Sequence, residues 1–317
     1  MGQSHPLHPA LMTLDLHIDA PWKALKYGPL VFGGPLPKRD VDFPRMKQGG
    51  LHAAFFALYL PDAWQDTISP HTASLLINQQ IEALNTSSGC QIVTRARDAH
   101  LWYTEQQIVP IFLGLEGGRL LNNTLDRLRE LHAKGVRYLT LTHNRNTGWA
   151  DSATDAPRHG GLDPFGHCVL RECEKLGVFV DVSHASDQTC IDVTSLSRKP
   201  VLATHSGCRV LLDHPRNLSD VLIKAIAKTG GLIGVPFVRR FVGPKASSVI
   251  DHIDHIVQQV GVSHVGIGSD LDGAAMVDDV RDVSDWSHIV IDGLSDRGYA
   301  DANIAAIAGG NMMRLLA

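Results

Sequence analysis

The sequence predicts a single (β/α)8 barrel domain over residues 1–317, and three observations favour this fold. Eight short apolar segments, of the kind that form strands buried on both faces of a sheet, recur along the chain. Segments with helical spacing of apolar residues separate most of them, and such alternation indicates a parallel sheet. The chain also exceeds the ~250 residues typical of the barrel. An open doubly wound sheet is the alternative, but no Gly-x-Gly-x-x-Gly motif opens a helix.

The elements are expected in a regular order after an irregular start. The first strand is expected at residues 12–20, and a Gly- and Pro-rich loop insertion follows near residues 22–45. The other strands are expected at residues 50–60, 109–115, 136–142, 178–182, 201–204, 232–235 and 265–268. Helices are expected at residues 70–85, 97–106, 125–134, 165–176, 187–196, 219–228, 249–260 and 302–316.

Composition excludes several classes of function. The formal net charge is −4 and no basic cluster occurs, which argues against a nucleic-acid partner. No apolar stretch approaches the ~18 residues that span a bilayer, and residues 1–12 do not resemble a signal peptide. Five cysteines without a Cys-x-x-Cys motif are typical of free thiols in a reducing compartment. We therefore expect a soluble, cytoplasmic protein without a membrane partner.

The end of the first strand carries a possible metal-binding pair. Residues two apart on a strand point to the same face, so Asp15, His17 and Asp19 are expected on one side. Leu14, Leu16 and Ile18 are expected on the other side. A neutral imidazole and a carboxylate are both good zinc ligands, and His17 and Asp19 could reach one ion.

Similar residues follow five more of the eight strands. In a (β/α)8 barrel the carboxyl ends of the strands meet at the active-site face. These ends carry Glu116, His143, Asp181, His184, His205, Asp270 and Asp272, whereas strands two and seven offer nothing comparable. Each residue has a more ordinary interpretation, such as a helix-capping carboxylate at Glu116 or turn-forming aspartates at Asp270 and Asp272. Their recurrence at six ends predicts one site with room for two metal ions that share a ligand.

The same residues carry a resemblance to a known family. The motifs are His17-Ile18-Asp19, Leu115-Glu116-Gly117-Gly118, Leu141-Thr142-His143-Asn144, Asp181-Val182-Ser183-His184, Thr204-His205-Ser206, Pro215-Arg216-Asn217 and Gly268-Ser269-Asp270-Leu271-Asp272-Gly273. In this order and spacing they resemble the membrane (renal) dipeptidase family, zinc dipeptidases of peptidase family M19 in the amidohydrolase superfamily. The resemblance extends from about residue 14 to Asn311.

The resemblance implies a binuclear zinc dipeptidase and a role for each residue. His17, Asp19 and Glu116 would hold one zinc ion, and Glu116, His184 and His205 the other, with Glu116 bridging. A hydroxide between the two ions would attack the peptide carbonyl. The other roles would be proton transfer by Asp270, contact with the scissile carbonyl or its oxyanion by His143, and binding of a substrate carboxylate by Arg216. Without the resemblance, Arg216 would be interpreted as a surface salt bridge.

One departure from the family pattern concerns the substrate. The family often has Asn-Phe-Tyr after strand seven, but this chain has Pro236-Phe237-Val238, and Val238 cannot donate a hydrogen bond. Another hydrolase activity of the same superfamily, on a small amide, lactone or lactam, is therefore the alternative. A catalytically silent barrel would require a lost ligand, and none is missing. Among the family, the chain resembles the soluble bacterial members. It also suggests a homodimer and substrates of L,L and L,D configuration, and another divalent metal could replace zinc.

Overall fold

The computed structural model describes residues 12–27 and 39–317. Within them, all paired strands run parallel. The strands are β1 (Leu14–Ile18), β2 (Ala53–Leu58), β3 (Cys90–Ile92), β4 (Val109–Glu116), β5 (Val136–Thr140), β6 (Phe179–Asp181), β7 (Val201–Ala203), β8 (Leu232–Val235) and β9 (Val265–Ile267).

Eight of these strands close a barrel. The order is β1, β2, β4, β5, β6, β7, β8 and β9, and β9 pairs with β1 to complete the circle. The predicted (β/α)8 barrel is thus confirmed. The extra strand, β3, pairs only with residues 109–111 at the start of β4. From Leu113 onward, the same edge of β4 pairs with β5. The sequence did not predict β3 because a three-residue strand has too few positions to show a pattern.

Helices surround the barrel. They are α1 (Ala20–Tyr27), α2 (Phe43–Gln48), α3 (Asp62–Gln65), α4 (Pro70–Asn85), α5 (Ala96–Gln106), α6 (Leu125–Ala133), α7 (Pro164–Leu176), α8 (Asp187–Leu196), α9 (Asp220–Lys228), α10 (Arg239–Val242), α11 (Ala246–Val260), α12 (Gly293–Asp296), α13 (Asp301–Ala305) and α14 (Asn311–Leu315). Short 3-10 turns cover Gly118–Leu121, Val262–His264 and Val283–Asp285, and π-helical turns cover His288–Asp292 and Ala306–Gly310.

Two expectations about the elements were wrong in part. Helices α1 and α2 occupy both ends of the predicted loop at residues 22–45, and its centre, residues 28–38, lies outside the described residues. The predicted helix at residues 302–316 is interrupted at Gly309, which has non-helical backbone angles. A Cβ at Gly309 would lie 2.4 Å from the carbonyl oxygen of Met12, so the chain there packs directly against the segment that leads into β1.

The core has an inner and an outer part. The inner part fills the barrel and includes Leu14, Leu16, Phe55, Phe112 and Tyr138. The outer part lies between the strands and the helices. Ile18 belongs to the outer part, so the expectation that it shares a face with Leu14 and Leu16 was wrong. A register irregularity between Asp15 and Ile18 changes the direction of the side chains at the end of β1.

Candidate metal centre and active site

Glu116, at the end of β4, lies at the centre of a buried cluster of histidines. Its Oε2 is 3.5 Å from Nε2 of His17, which is on β1. Its Oε1 is 3.1 Å from Nε2 of His184 and 3.6 Å from Nε2 of His205, which follow β6 and β7. The Nε2 atoms of His184 and His205 are 3.0 Å apart. The two oxygens of this carboxylate therefore face different imidazoles: Oε2 faces His17, and Oε1 faces His184 and His205.

The other predicted residues extend this cluster on two sides. Potential ligand atoms of His17, Asp19 and Asp270 lie within 4.8 Å of one another, and so do those of Glu116, His143 and His184. A third such group joins His17, Glu116 and His205. All seven residues predicted to act at the metal or the scissile bond are thus brought together. Asp272 is buried nearby, but its Oδ1 accepts a hydrogen bond from the backbone N–H of Asp40.

The residues present fit divalent metal ions. His17 Nε2 and Asp19 Oδ1 are buried and have no hydrogen-bond partner among the described residues. Buried polar atoms are normally satisfied, and such an exception requires a specific explanation, for example an ion. Three imidazoles and two carboxylates form a ligand set that zinc accepts.

The protonation states of the histidines favour the same interpretation. Burial lowers the pKa of His184 and of His205 well below the usual value, which keeps both in the neutral, metal-binding form. For His17 burial is again the largest single effect and lowers the pKa, but Glu116, Asp19 and Asp270 together outweigh it and raise the pKa to about 10. A cation between His17 and Glu116 would take the place of the proton that His17 otherwise holds.

The acidic residues also indicate a need for positive charge. Burial, and then the charge of Glu116, raises the pKa of Asp19 well above its usual value. Burial is also the largest cause of the raised pKa of Asp270. Three carboxylates so close together and buried repel one another unless a cation or protons neutralise them.

Hydrogen bonds fix which nitrogen of His205 faces the cluster. The hydroxyl of Thr204 donates to Oδ2 of Asp181 at 2.8 Å. Having one proton, this hydroxyl can only accept from Nδ1 of His205, at 2.9 Å. His205 is thus protonated at Nδ1 and presents the lone pair of Nε2 to the cluster. Tyr138, which sequence reasoning missed, has its hydroxyl 2.9 Å from Nδ1 of His17.

Two buried aspartates join neighbouring strands beneath the cluster. Oδ1 of Asp181 accepts the backbone N–H groups of Ser183 and Thr204, at 3.0 and 2.9 Å. Oδ1 of Asp15 accepts in the same way from His17 and Ser269, both at 3.0 Å. Each aspartate therefore fixes the backbone at or next to two cluster residues.

The backbone at two cluster residues is in a left-handed conformation. His184 has φ 66° and Asp270 has φ 63°, values that are uncommon for residues other than glycine. Such conformations persist where the surrounding structure enforces them, often at functional sites. A Cβ at Gly273 would lie 2.1 Å from Oδ2 of Asp19 and 2.2 Å from Oδ1 of Asp270, so only glycine leaves room for both carboxylates.

Tyr59 is a site residue that sequence reasoning missed. It follows β2, a strand end that was expected to offer nothing, and its ring centroid is 4.7 Å from that of His143. Burial, and then the charges of Glu116 and Asp62, raises the pKa of Tyr59, so the hydroxyl stays protonated and can donate. The apolar run of β2 gave no signal for it. Val238, which follows β8, is fully buried.

Arg216 is a buried cation next to the cluster and not a surface residue. Only 4% of it is exposed, and its Nη2 donates to the carbonyl oxygen of His205 at 3.3 Å. Within residues 12–27 and 39–317 no carboxylate pairs with it, and its Nε has no partner. Burial lowers its pKa to about 10, so the guanidinium remains charged at neutral pH. A surface salt bridge, the alternative interpretation of Arg216, is therefore excluded.

Comparisons with known proteins identify the family. The family model described as "Membrane dipeptidase (Peptidase family M19)" matches residues 1–317. The chain is 31% identical over 295 residues to dipeptidase verJ of Clonostachys rogersoniana, covering 87% of this chain and 74% of that protein. It is 33% identical over 292 residues to dipeptidase tcpJ of Claviceps purpurea (strain 20.1), covering 87% and 68%.

Solved structures show the same fold. The probable dipeptidase PvdM from Pseudomonas aeruginosa is 25% identical, with a TM-score of 0.86 over 97% of this chain and 95% of that chain. A metallo peptidase from Rhodobacter sphaeroides, liganded with a phosphinate mimic of the dipeptide L-Ala-D-Ala, is 24% identical, with a TM-score of 0.85 over 96% and 98%. No helix within residues 12–27 or 39–317 is both long and apolar enough to cross a membrane. With a match to the family model over the whole chain, this protein belongs to the membrane dipeptidase family, peptidase family M19.

Proposed function

We propose that this protein is a dipeptidase that uses two zinc ions to hydrolyse L,L- and L,D-dipeptides to free amino acids. The observation that carries the proposal is the position of Glu116, whose two carboxylate oxygens face different histidines. His17, Asp19 and Glu116 would hold one ion, and Glu116, His184 and His205 the other. When bound, two close metal ions lower the pKa of a water molecule and polarise the substrate carbonyl.

The remaining side chains can bind the substrate and move its proton. Asp270 lies beside His17 and Asp19, where a carboxylate can take a proton from the attacking water. As the C–N bond breaks, the same carboxyl group returns that proton to the leaving amine. His143 lies on the other side of Glu116, where its imidazole can contact the carbonyl oxygen or the oxyanion that forms from it. The buried charge of Arg216 suits the C-terminal carboxylate of a dipeptide, since a guanidinium binds a carboxylate through two parallel hydrogen bonds.

The proposal also covers the stereochemistry of the substrate and the cellular location of the enzyme. The Rhodobacter sphaeroides protein of the same fold is liganded with a mimic of L-Ala-D-Ala, which supports acceptance of a D residue at the C-terminal position. The five cysteines are all free thiols, and four of them are buried. Free thiols are typical of reducing compartments, which supports a cytoplasmic enzyme.

A substrate panel tests the proposal. Zinc-loaded protein is incubated with L,L- and L,D-dipeptides, the corresponding N-acetylated and C-amidated dipeptides, and a set of lactones and lactams, with a chelator-treated sample as control. We expect zinc-dependent release of free amino acids from the unblocked dipeptides. Turnover of amidated dipeptides should fall, because Arg216 would lose its carboxylate partner. Hydrolysis of lactones or lactams without any dipeptide hydrolysis would contradict the proposal.

Replacing Tyr59 by Phe tests the newly found residue. If its hydroxyl donates to the bound dipeptide, the loss of one hydrogen bond of about 1 kcal/mol should lower kcat/KM roughly five-fold. Tyr103 is a suitable control, since it lies away from the cluster and stacks on His52. Steady-state kinetics of both variants would decide the matter: equal kcat/KM for Tyr59→Phe and Tyr103→Phe would exclude a substrate contact at Tyr59.

A further inference from the structure

A carboxylate outside the metal cluster holds one of its histidines. Oδ2 of Asp62 lies 2.7 Å from Nδ1 of His143, although 81 residues separate them. Both side chains are largely buried, with 12% of Asp62 and 13% of His143 exposed. Asp62 is the first residue of α3, which follows β2, whereas His143 follows β5. The contact therefore joins two separate loops at the active-site face of the barrel.

Arg119 holds the same carboxylate from the opposite side. Its Nη1 lies 3.8 Å from Oδ1 of Asp62, an ion pair without a direct hydrogen bond. Its Nη2 donates to Oδ1 of Asp66, at 2.6 Å. Arg119 belongs to the 3-10 turn Gly118–Leu121, which directly follows the segment of Glu116 and Gly117. Asp62 thus lies between an imidazole and a guanidinium, and both loops are anchored to the strand that carries Glu116.

This arrangement selects one tautomer of His143. A carboxylate is only an acceptor, so Nδ1 must carry the proton that Asp62 receives. Nε2 is then an acceptor, and the side-chain N–H of Asn144 donates to it at 3.3 Å. The ring is also held between two others, with centroids 4.7 Å from Tyr59 and 4.4 Å from His184. In a histidine, the partner of one ring nitrogen decides the role of the other.

We propose that Asp62 is a positioning residue that keeps His143 protonated at Nδ1 and directs its Nε2 toward the scissile peptide bond. This inference rests on the proposed function, in which His143 contacts the substrate carbonyl or its oxyanion. Asp62 itself does not touch the reacting atoms. Without it, the imidazole can rotate or exchange tautomers, and only a fraction of the molecules would present Nε2 correctly.

The experiment compares Asp62→Ala and Asp62→Asn with Asp66→Ala as the matched control. Asp66 binds the same arginine but does not contact His143. Loss of a partner that orients a metal-bound histidine typically costs about 10- to 100-fold in activity, and the orienting role proposed for Asp62 is of the same kind. We expect a fall of this size in kcat for Asp62→Ala with KM and metal content unchanged. Asp62→Asn, which retains an acceptor oxygen and the shape of the side chain, should restore part of kcat, and Asp66→Ala should match the wild type.

A second measurement is independent of catalysis. Nitrogen-15 NMR of the histidine side chains, with the His143 signal assigned by its loss in His143→Gln, reports the tautomer. We expect an Nδ1-protonated ring in the wild type and in Asp66→Ala, and a mixture of tautomers in Asp62→Ala. Either wild-type kcat or an unchanged tautomer in Asp62→Ala would overturn the inference, as would a fall in kcat that loss of metal fully accounts for.

The two proposals fail in different ways. If the wild type hydrolyses no dipeptide while the NMR result is as expected, the proposed function is wrong but the Asp62–His143 pair stands. If the wild type hydrolyses dipeptides and Asp62→Ala does so equally well, the proposed function stands and the role of Asp62 is wrong.

Discussion

Replacing Glu116 by Gln is expected to abolish dipeptide hydrolysis and to weaken the binding of both metal ions. Glu116 is the only carboxylate among the described residues that lies within 4 Å of imidazole nitrogens of His17, His184 and His205. The amide keeps the shape but removes the charge that both ions would share. Losing a contribution of several kcal/mol from the metal pair corresponds to a fall in kcat of roughly 10³-fold or more.

Metal analysis by mass spectrometry and steady-state kinetics check this prediction. Glu172→Gln is a matched control, because Glu172 is also buried but pairs with Arg129 in the helical layer. The control should keep both metal ions and full kcat. A Glu116→Gln variant that binds two zinc ions as tightly as the wild type would rule out a bridging role for Glu116.

Replacing Asp270 by Asn is expected to stop proton transfer while the metal ions remain bound. General acid–base catalysis typically contributes about 10²- to 10⁴-fold, and kcat should fall by this amount. The amide introduced by Asp270→Asn cannot accept the proton, whereas the ligands proposed for the ions would be intact. The measurement is kcat together with the zinc content of the same preparation.

Asp272→Asn is the control for this variant. Asp272 lies in the same turn and is buried, and the amide oxygen that replaces its carboxylate can still accept the N–H of Asp40. We expect this control to retain kcat. If Asp270→Asn instead loses one zinc ion, Asp270 is a metal ligand and its proposed role in proton transfer is wrong.

The barrel was predictable because its strands are short apolar runs separated by helices with clear signals. For example, α4 and α8 have the predicted bounds, and the side chains of Ser69 and Ser186 cap their first turns. The helices at the ends of the predicted loop, α1 and α2, were missed because Pro and Gly in this stretch favoured a loop. Pro21 and Pro44 lie at the starts of these helices, where proline is tolerated.

The residues that cluster around Glu116 were predictable as a group because they follow strands and recur at neighbouring strand ends. The residues that orient this cluster could not be predicted, because their role depends on contacts between segments that are distant in the sequence. Asp62 is 81 residues from His143, and Trp286, whose Nε1 donates to Oδ2 of Asp15, is 271 residues from its partner. Tyr59 was missed for another reason: it continues an apolar strand and looks like a core residue.

The most direct test is a titration of metal-free protein with zinc during hydrolysis of an unblocked dipeptide. We expect no activity without metal, a rise on addition of zinc, and a plateau at two equivalents per chain. Full activity in the metal-free protein would contradict the proposed mechanism altogether. A plateau at one equivalent would contradict the assignment of two ions that share Glu116.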